Sequence, residues 1–339
     1  MKDTFHLQWH ITNLCNLRCQ HCYQDDFSKQ NELDWRGLKR VSDNILTTIE
    51  EWDQTACIHL AGGEPLLKSE LFPLLNVLNQ QSVVEELGII TNGLLLDQET
   101  VNRLSSITKL KKIKISLDGA TPELNDSIRS PGTFERVMKN IGLLQGRKEF
   151  ELIFMFTVMK RNYWDLLNFI HLCEDLEVAG LIIERFIPWG RGRALMDEVL
   201  GQKEWKETVE GLRCFFSIEN NSCLSYQAFQ IRFKDEEPEL LGAPCVIGTD
   251  GLCLMPNGDV FPCRRFPISI GNLLSAPLKR IWEESGLLAK LRRKEGLQGR
   301  CGKCEIEDCR GCRSLALALT GDYLAEDPHC LSPKPFSSF

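Results

Sequence analysis

The residues of this chain best equipped for chemistry are its fifteen cysteines, and their spacing sorts them into groups. Cys15, Cys19 and Cys22 stand in a C-x3-C-x2-C loop within residues 13–23. A cubane cluster has four irons, so three thiolates leave one iron without a protein ligand, and that iron can bind a substrate directly. Structural sites are normally closed, and a zinc knuckle brings four ligands, including a second spaced pair that this loop lacks. A zinc site or three unrelated buried thiols are the plainer readings of the loop by itself.

Eight more cysteines crowd the chain after residue 240: Cys245, Cys253, Cys263, Cys301, Cys304, Cys309, Cys312 and Cys330. Residues 258–263 read as the exit of a β-hairpin whose turn is Pro256-Asn257-Gly258, which brings cysteines at the strand ends toward one metal. Cys301-x2-Cys304-x4-Cys309-x2-Cys312 sets two pairs closer together than those of a zinc ribbon, which stand about 15 to 20 residues apart, so iron–sulfur ligation is the better reading. Cys253, between Leu252 and Leu254, either completes a cluster or fills space and is left outside the ligand set. Cys57, Cys173, Cys214 and Cys223 have no metal spacing and read as packing or surface residues.

Further polar motifs follow the first cysteine loop. In Gly62-Gly63-Glu64-Pro65 the glycines let main chain approach a ligand closely, and the carboxylate suits an ammonium group. Thr91-Asn92-Gly93, Ser116-Leu117-Asp118-Gly119 and Arg129 come next, with Tyr23 directly after the last cysteine of the loop. In this order the motifs resemble the radical S-adenosylmethionine (SAM) superfamily. The resemblance implies a [4Fe-4S] cluster on Cys15, Cys19 and Cys22 whose open iron chelates the methionine amino and carboxylate groups. Gly62, Gly63 and Glu64 would hold the ammonium, and Arg129, a forked guanidinium, would pair with the carboxylate. Asn92, Ser116 and Asp118 would line the ribose side, and Tyr23 would pack adenine.

The tail is similar to the SPASM extension of such enzymes, whose opening pattern fits Cys245, Gly258 and Cys263. By that resemblance Cys245, Cys263 and Cys312 hold one auxiliary cluster, and Cys301, Cys304, Cys309 and Cys330 a second. The last two gaps, four and two residues, are each one shorter than the usual pattern.

Such motifs need strands to carry them. Strand-like runs fall at 7–11, 57–60, 87–91, 113–117, 152–158 and 181–186, and segments of helical period lie between them, for example Leu38, Val41, Ile45 and Ile49. Alternation of this kind predicts βα units on a parallel sheet, with functional loops at the carboxyl ends of the strands. The expectation is an α/β fold, by resemblance a partial (β/α)6 barrel, with a C-terminal cysteine-rich domain. Expected boundaries are a catalytic barrel over 1–190, a helical bridge over 191–240 and a SPASM-like domain over 241–335.

Composition narrows the class. A net charge of −7 without charge blocks offers neither a nucleic-acid footprint nor a polybasic membrane patch. No long apolar run and no signal peptide are visible, so the expected location is the cytoplasm, where fifteen cysteines do not read as a disulfide framework. The resemblance implies reductive cleavage of SAM to a 5′-deoxyadenosyl radical, with an external one-electron donor such as flavodoxin or ferredoxin. The first substrate reading is a ribosomally made peptide or protein, with crosslinking, oxidation or epimerisation as the reaction. The chain begins at its first strand, so a separate leader-binding protein is expected there. The alternative is maturation of a heme-type tetrapyrrole or metallocofactor, with carboxylates bound by the arginines of 185–193; a zinc-binding adaptor is the alternative from another class. The catalytic acid or hydrogen donor is unassigned, and His10, His21 and His59 are candidates by proximity alone.

Overall fold

Strands of this chain place an apolar residue at every second position, and that period settles which way each one faces. The computed structural model describes residues 2–218, 228–233, 238–242, 245–306 and 309–331; Cys223 lies outside these residues. Six strands, β1 (Thr4–His10), β2 (Thr55–Ala61), β3 (Val84–Thr91), β4 (Leu110–Ser116), β5 (Glu151–Val158) and β6 (Gly180–Arg185), pair in parallel in chain order. Phe5, Leu7 and Trp9 of β1, Ile58 and Leu60 of β2, Leu87 and Ile89 of β3, and Ile113 and Ile115 of β4 are buried in one hydrophobic core. Their neighbours in sequence, among them Gln8, Cys57, His59, Glu86, Lys112 and Lys114, therefore line the opposite, concave face.

Helices cover the apolar face: α1 (Trp35–Glu51), α2 (Leu71–Asn79), α3 (Gln98–Ser105), α4 (Pro122–Ile128), α5 (Thr133–Ile141) and α6 (Leu166–Asp175). In α1 the buried Leu38, Val41, Ile45 and Ile49 recur at helical spacing, and the Asp34 side chain accepts from Gly37 N at 2.8 Å as N-cap. A cap of this kind contributes about 1 kcal/mol. The expected partial six-stranded βα barrel is thus the observed architecture, with helices alternating between its parallel strands.

The sheet continues past both ends of the barrel. Beyond β6 the stretch expected as a bridge holds α7 (Gln202–Phe215) and then the antiparallel strands β7 (Ala228–Arg232) and β8 (Glu239–Gly242). On the β1 side the tail adds β9 (Gly251–Leu254), parallel to β1, then β10 (Asp259–Phe261) and β11 (Gly271–Asn272). One eleven-stranded sheet results, in the order β11-β10-β9-β1-β2-β3-β4-β5-β6-β7-β8. The hairpin between β9 and β10 turns at the expected Gly258, which has a φ of 87° and donates its N–H to Met255 O at 2.9 Å. Among the described residues the tail adds four short helices: α8 (Leu278–Glu284), α9 (Gly286–Leu291), α10 (Gly299–Gly302) and α11 (Arg313–Thr320). Cys245 and Cys263 pack against a small core of Ile247, Phe266, Leu288 and Leu291. No helix of the described residues is long and apolar enough to cross a membrane.

Candidate active site

The first cysteine loop leaves β1 and is tied down from three sides. Glu32 accepts from Asn13 N at 2.6 Å and from Thr12 Oγ1 at 2.7 Å, and Lys68 closes on it at 3.0 Å. Gly63 N donates to Thr12 O at 2.8 Å and Glu64 N to Leu14 O at 2.7 Å, so the glycine pair lies directly against the loop. A Cβ on Gly63 would collide with Leu14 O. On the far side Gly192 N donates to Cys22 O at 2.9 Å, and a Cβ on Gly190 would strike the Tyr23 backbone. The arginine-rich stretch after β6 therefore braces the cysteine loop: Arg193 stacks over Trp189, and Arg191 Nε donates to Cys19 O at 3.4 Å.

Cys15, Cys19 and Cys22 are half-buried. Burial, the largest cause, pushes the thiols of Cys15 and Cys22 up to about 11 and raises that of Cys19 as well. Such thiols hold their protons at neutral pH and give them up when a metal takes the sulfurs. Among the described residues no three of the chain's cysteine sulfurs lie within 4.8 Å of one another. A single ion would have to draw them together, whereas a four-iron cluster spans a wider ligand set.

Above the loop a cavity opens at the carboxyl ends of the strands. Tyr23, Gly62, Gly63, Asn92, Ser116 and Arg129 line it, six of the eight cofactor residues expected from sequence. Glu64 and Asp118 stand behind the wall and are fully buried. Glu64 accepts from Thr91 Oγ1 at 2.8 Å, Asn92 N at 2.8 Å and Leu66 N at 3.1 Å, and burial lifts its carboxyl to about 7. Asp118 accepts from Thr157 N at 2.8 Å and pairs with Arg129 at 2.7 Å and His21 at 3.3 Å. These two carboxylates thus fix the strand ends and Arg129, whose buried Nε finds no hydrogen-bond acceptor among the described residues. An unspent donor beside the cysteines is what a bound carboxylate requires.

Two histidines near the loop are held neutral by burial. Burial lowers His10 to about 3 and His21 to about 4, so both are neutral near pH 7. His21 lines the cavity, His10 meets the Tyr23 ring edge-on, and His59 is outside the lining.

A charged cluster in the cavity wall lies outside the motifs read from sequence. Glu184, at the end of β6, pairs with Arg264 and, at 3.2 Å, with Arg265. Arg264 also donates to Gln8 Oε1 at 3.3 Å and lies over the Tyr23 ring, while Arg265 donates to Arg185 O at 3.0 Å. Burial alone would raise the Glu184 carboxyl; Arg264 and Arg265 overcome it and hold the group below the usual range. The sequence carried a signal for each: Glu184 ends a parallel strand, and the arginines directly follow Cys263.

Beside that cluster the tail sulfurs gather. Burial, then the neighbouring Cys312 and Cys263, push Cys245 up to about 12. Cys301 is buried and accepts from Asp327 N at 3.3 Å and Arg313 Nη2 at 3.4 Å. Asp327 also accepts from Cys312 N at 2.7 Å and pairs in bidentate fashion with Arg185, both contacts at 3.2 Å. Arg185, offered from sequence as a carboxylate-binding residue, is spent on this buried pair.

The model of the radical SAM superfamily matches residues 9–173, and that of an iron–sulfur cluster-binding domain, SPASM, matches 245–313. An AdoMet-dependent heme synthase of Methanosarcina barkeri is 31% identical over 96% of this chain and 95% of its own length. The chain belongs to the radical SAM superfamily. Mycofactocin maturase MftC of Mycobacterium tuberculosis is 28% identical over 96% of this chain and 82% of that protein. Among solved structures, anSMEcpe with bound AdoMet and a peptide superposes with a TM-score of 0.74 at 18% identity, covering 96% of this chain and 94% of that one. This radical SAM enzyme carries a SPASM domain, and its cofactors are [4Fe-4S] clusters and SAM. When bound, the cluster supplies the electron that opens the sulfonium of SAM. The chain's own residues brace the cysteine loop and enclose the cavity above it, with Arg129 in its lining.

Proposed function

We propose that this radical SAM/SPASM enzyme trims a carboxylate side chain of a heme-type tetrapyrrole. The observation that carries the reading is the pair Arg264 and Arg265 in the cavity wall, two guanidiniums sharing the single carboxylate of Glu184. The buried Nε of each guanidinium has no acceptor among the described residues, and forked donors suit a propionate. Support comes from the full-length similarity to the Methanosarcina barkeri heme synthase. In this reaction a hydrogen atom leaves the propionate chain to the adenosyl radical, carbon dioxide departs, and one electron passes to an auxiliary cluster.

In the same proposal Cys15, Cys19 and Cys22 hold the SAM-cleaving cluster, with Tyr23, Gly62, Gly63, Asn92, Ser116 and Arg129 around the cofactor and Glu64 and Asp118 positioning them. Cys245, Cys263 and Cys312 serve one auxiliary cluster, and Cys301, Cys304, Cys309 and Cys330 the other. A flavodoxin or ferredoxin delivers the electron, and the work is done in the cytoplasm.

A ribosomally made peptide is the second reading, supported by the mycofactocin maturase relative. The test is anaerobic incubation of the reconstituted enzyme with SAM, a reductant and a propionate-bearing iron tetrapyrrole, read by mass spectrometry. Loss of one carbon dioxide per 5′-deoxyadenosine formed is expected. SAM cleavage that stays uncoupled from any change in the tetrapyrrole defeats the reading and turns attention to peptides. Arg264→Ala should raise the KM for the tetrapyrrole about tenfold to a hundredfold, the weight of a charge-assisted hydrogen bond.

A further inference from the structure

Next to the cavity, whose lining residue Gln8 is the register partner of His59, the concave face of the sheet holds a group of side chains that the SAM chemistry does not use. Cys57 and His59 stand two apart on β2, so both point inward, and Glu86 of β3 pairs directly with Cys57 in the strand register. Cys57 Sγ lies 3.4 Å from His59 Nε2 and 3.3 Å from Glu86 Oε1, and the last two atoms are 3.2 Å apart. We propose that Cys57, His59 and Glu86 hold one divalent transition-metal ion, zinc by ligand preference, on the floor of the barrel.

The triangle has the size such an ion requires. With zinc–ligand distances of about 2.0 to 2.3 Å and tetrahedral angles, sulfur, nitrogen and oxygen ligands stand about 3.4 to 3.6 Å apart. The observed edges fall within about 0.3 Å of that span. Without an ion, the thiol and the imidazole Nε2–H would both donate to Glu86 Oε1, and a metal would replace those two protons. A metal ion satisfies all three atoms together.

The surroundings are fitted to the ligands. Gly88 is the register partner of His59, and a Cβ there would collide with the imidazole, so the glycine clears the space in which the ring lies. Lys112 reaches both oxygens of Glu86 at 2.8 and 2.9 Å, and Lys114 holds the other ring nitrogen of His59 at 3.2 Å. A group one layer out from a metal orients a carboxylate ligand as Lys112 orients Glu86. Two lysines also oppose an ion held by charge alone, which excludes magnesium and calcium. The ion must be one that bonds strongly to thiolate and imidazole.

The test uses the cluster-replete enzyme, in which iron already occupies the cluster cysteines. Zinc and iron are measured by elemental analysis in wild type, Cys57→Ser and, as a buried-thiol control, Cys173→Ser. The zinc is then exchanged for cobalt(II) to look for a thiolate-to-cobalt absorption band. Expected are one zinc per chain and the band in wild type and Cys173→Ser, and neither in Cys57→Ser at equal iron content. Absence of both zinc and the band from wild type, or their persistence in Cys57→Ser, overturns the proposal. Should Cys57→Ser lose iron through misfolding, Glu86→Gln decides: cobalt binding at least about tenfold weaker supports the site, and unchanged binding refutes it. SAM cleavage is not the readout, so the proposal stands or falls separately from the tetrapyrrole reading.

Discussion

Two regions of this barrel gather side chains of metal-ligating type, and they do so by different means. At the carboxyl end Cys15, Cys19 and Cys22 sit on one loop, their sulfurs held apart by a backbone that Glu32, Gly63 and Gly192 tie down. On the floor Cys57, His59 and Glu86 sit on two neighbouring strands, their ligand atoms within 3.4 Å of each other. The loop set is homogeneous in sulfur and wide, as a multi-iron cluster demands; the strand set is mixed and tight, as one ion demands. Loops can spread their ligands, while adjacent strands about 4.8 Å apart force theirs together.

The strongest way to break the comparison is to remove one sulfur from each region. Cys15→Ala, Cys19→Ala and Cys22→Ala should reduce 5′-deoxyadenosine formation to the enzyme-free background, whereas Cys57→Ser should leave it measurable. Chromatography of the quenched reaction reads both, and retained cleavage in any of the first three removes the loop from the site.

Next in size is the buried pair that joins barrel to tail. Asp327→Ala strands the Arg185 guanidinium and frees the Cys312 N–H, so denaturant unfolding should show a loss of about 3–5 kcal/mol. Tail iron should fall with it, while the floor site keeps its metal. Equal loss at both places would mean that the two regions unfold as one.

A smaller and more selective effect is expected at Cys304 and Cys309. Their replacement by alanine should cut product formation more than SAM cleavage, measured as the ratio of product to 5′-deoxyadenosine. Parallel loss of both would give the tail a folding role in place of an electron-transfer one.

The smallest effect concerns protons at the upper region. Burial, aided by Arg264, depresses His10 to about 3 in the folded chain, against 6.5 when exposed. Below pH 6.5 the unfolded chain takes up a proton that the folded one refuses. Stability is therefore present above that pH and is lost as pH falls toward 3. His10→Gln should flatten the decline between pH 6.5 and 5 by about 1.4 kcal/mol per pH unit, read from urea unfolding. An unchanged slope would mean that His10 takes up its proton in the folded enzyme.

What the sequence by itself determined were the features encoded over short stretches. The C-x3-C-x2-C loop, the glycine pair and the strand and helix periods are local; they gave the barrel and the cysteine loop, and six of the eight cofactor residues expected from sequence line the cavity. Glu64 and Asp118 also carried the right motifs, but which side of the wall a carboxylate faces depends on donors such as Asn92 N and Thr157 N, brought from other strands. Only the tertiary structure decided the rest. Arg185 meets Asp327 across 142 residues, and Arg264 crosses 80 to reach Glu184. Cys57, which has no metal spacing along the chain, gains its partner Glu86 through strand register alone. Pairings of this kind are set by which chain segments pack together, and no spacing along one segment encodes them.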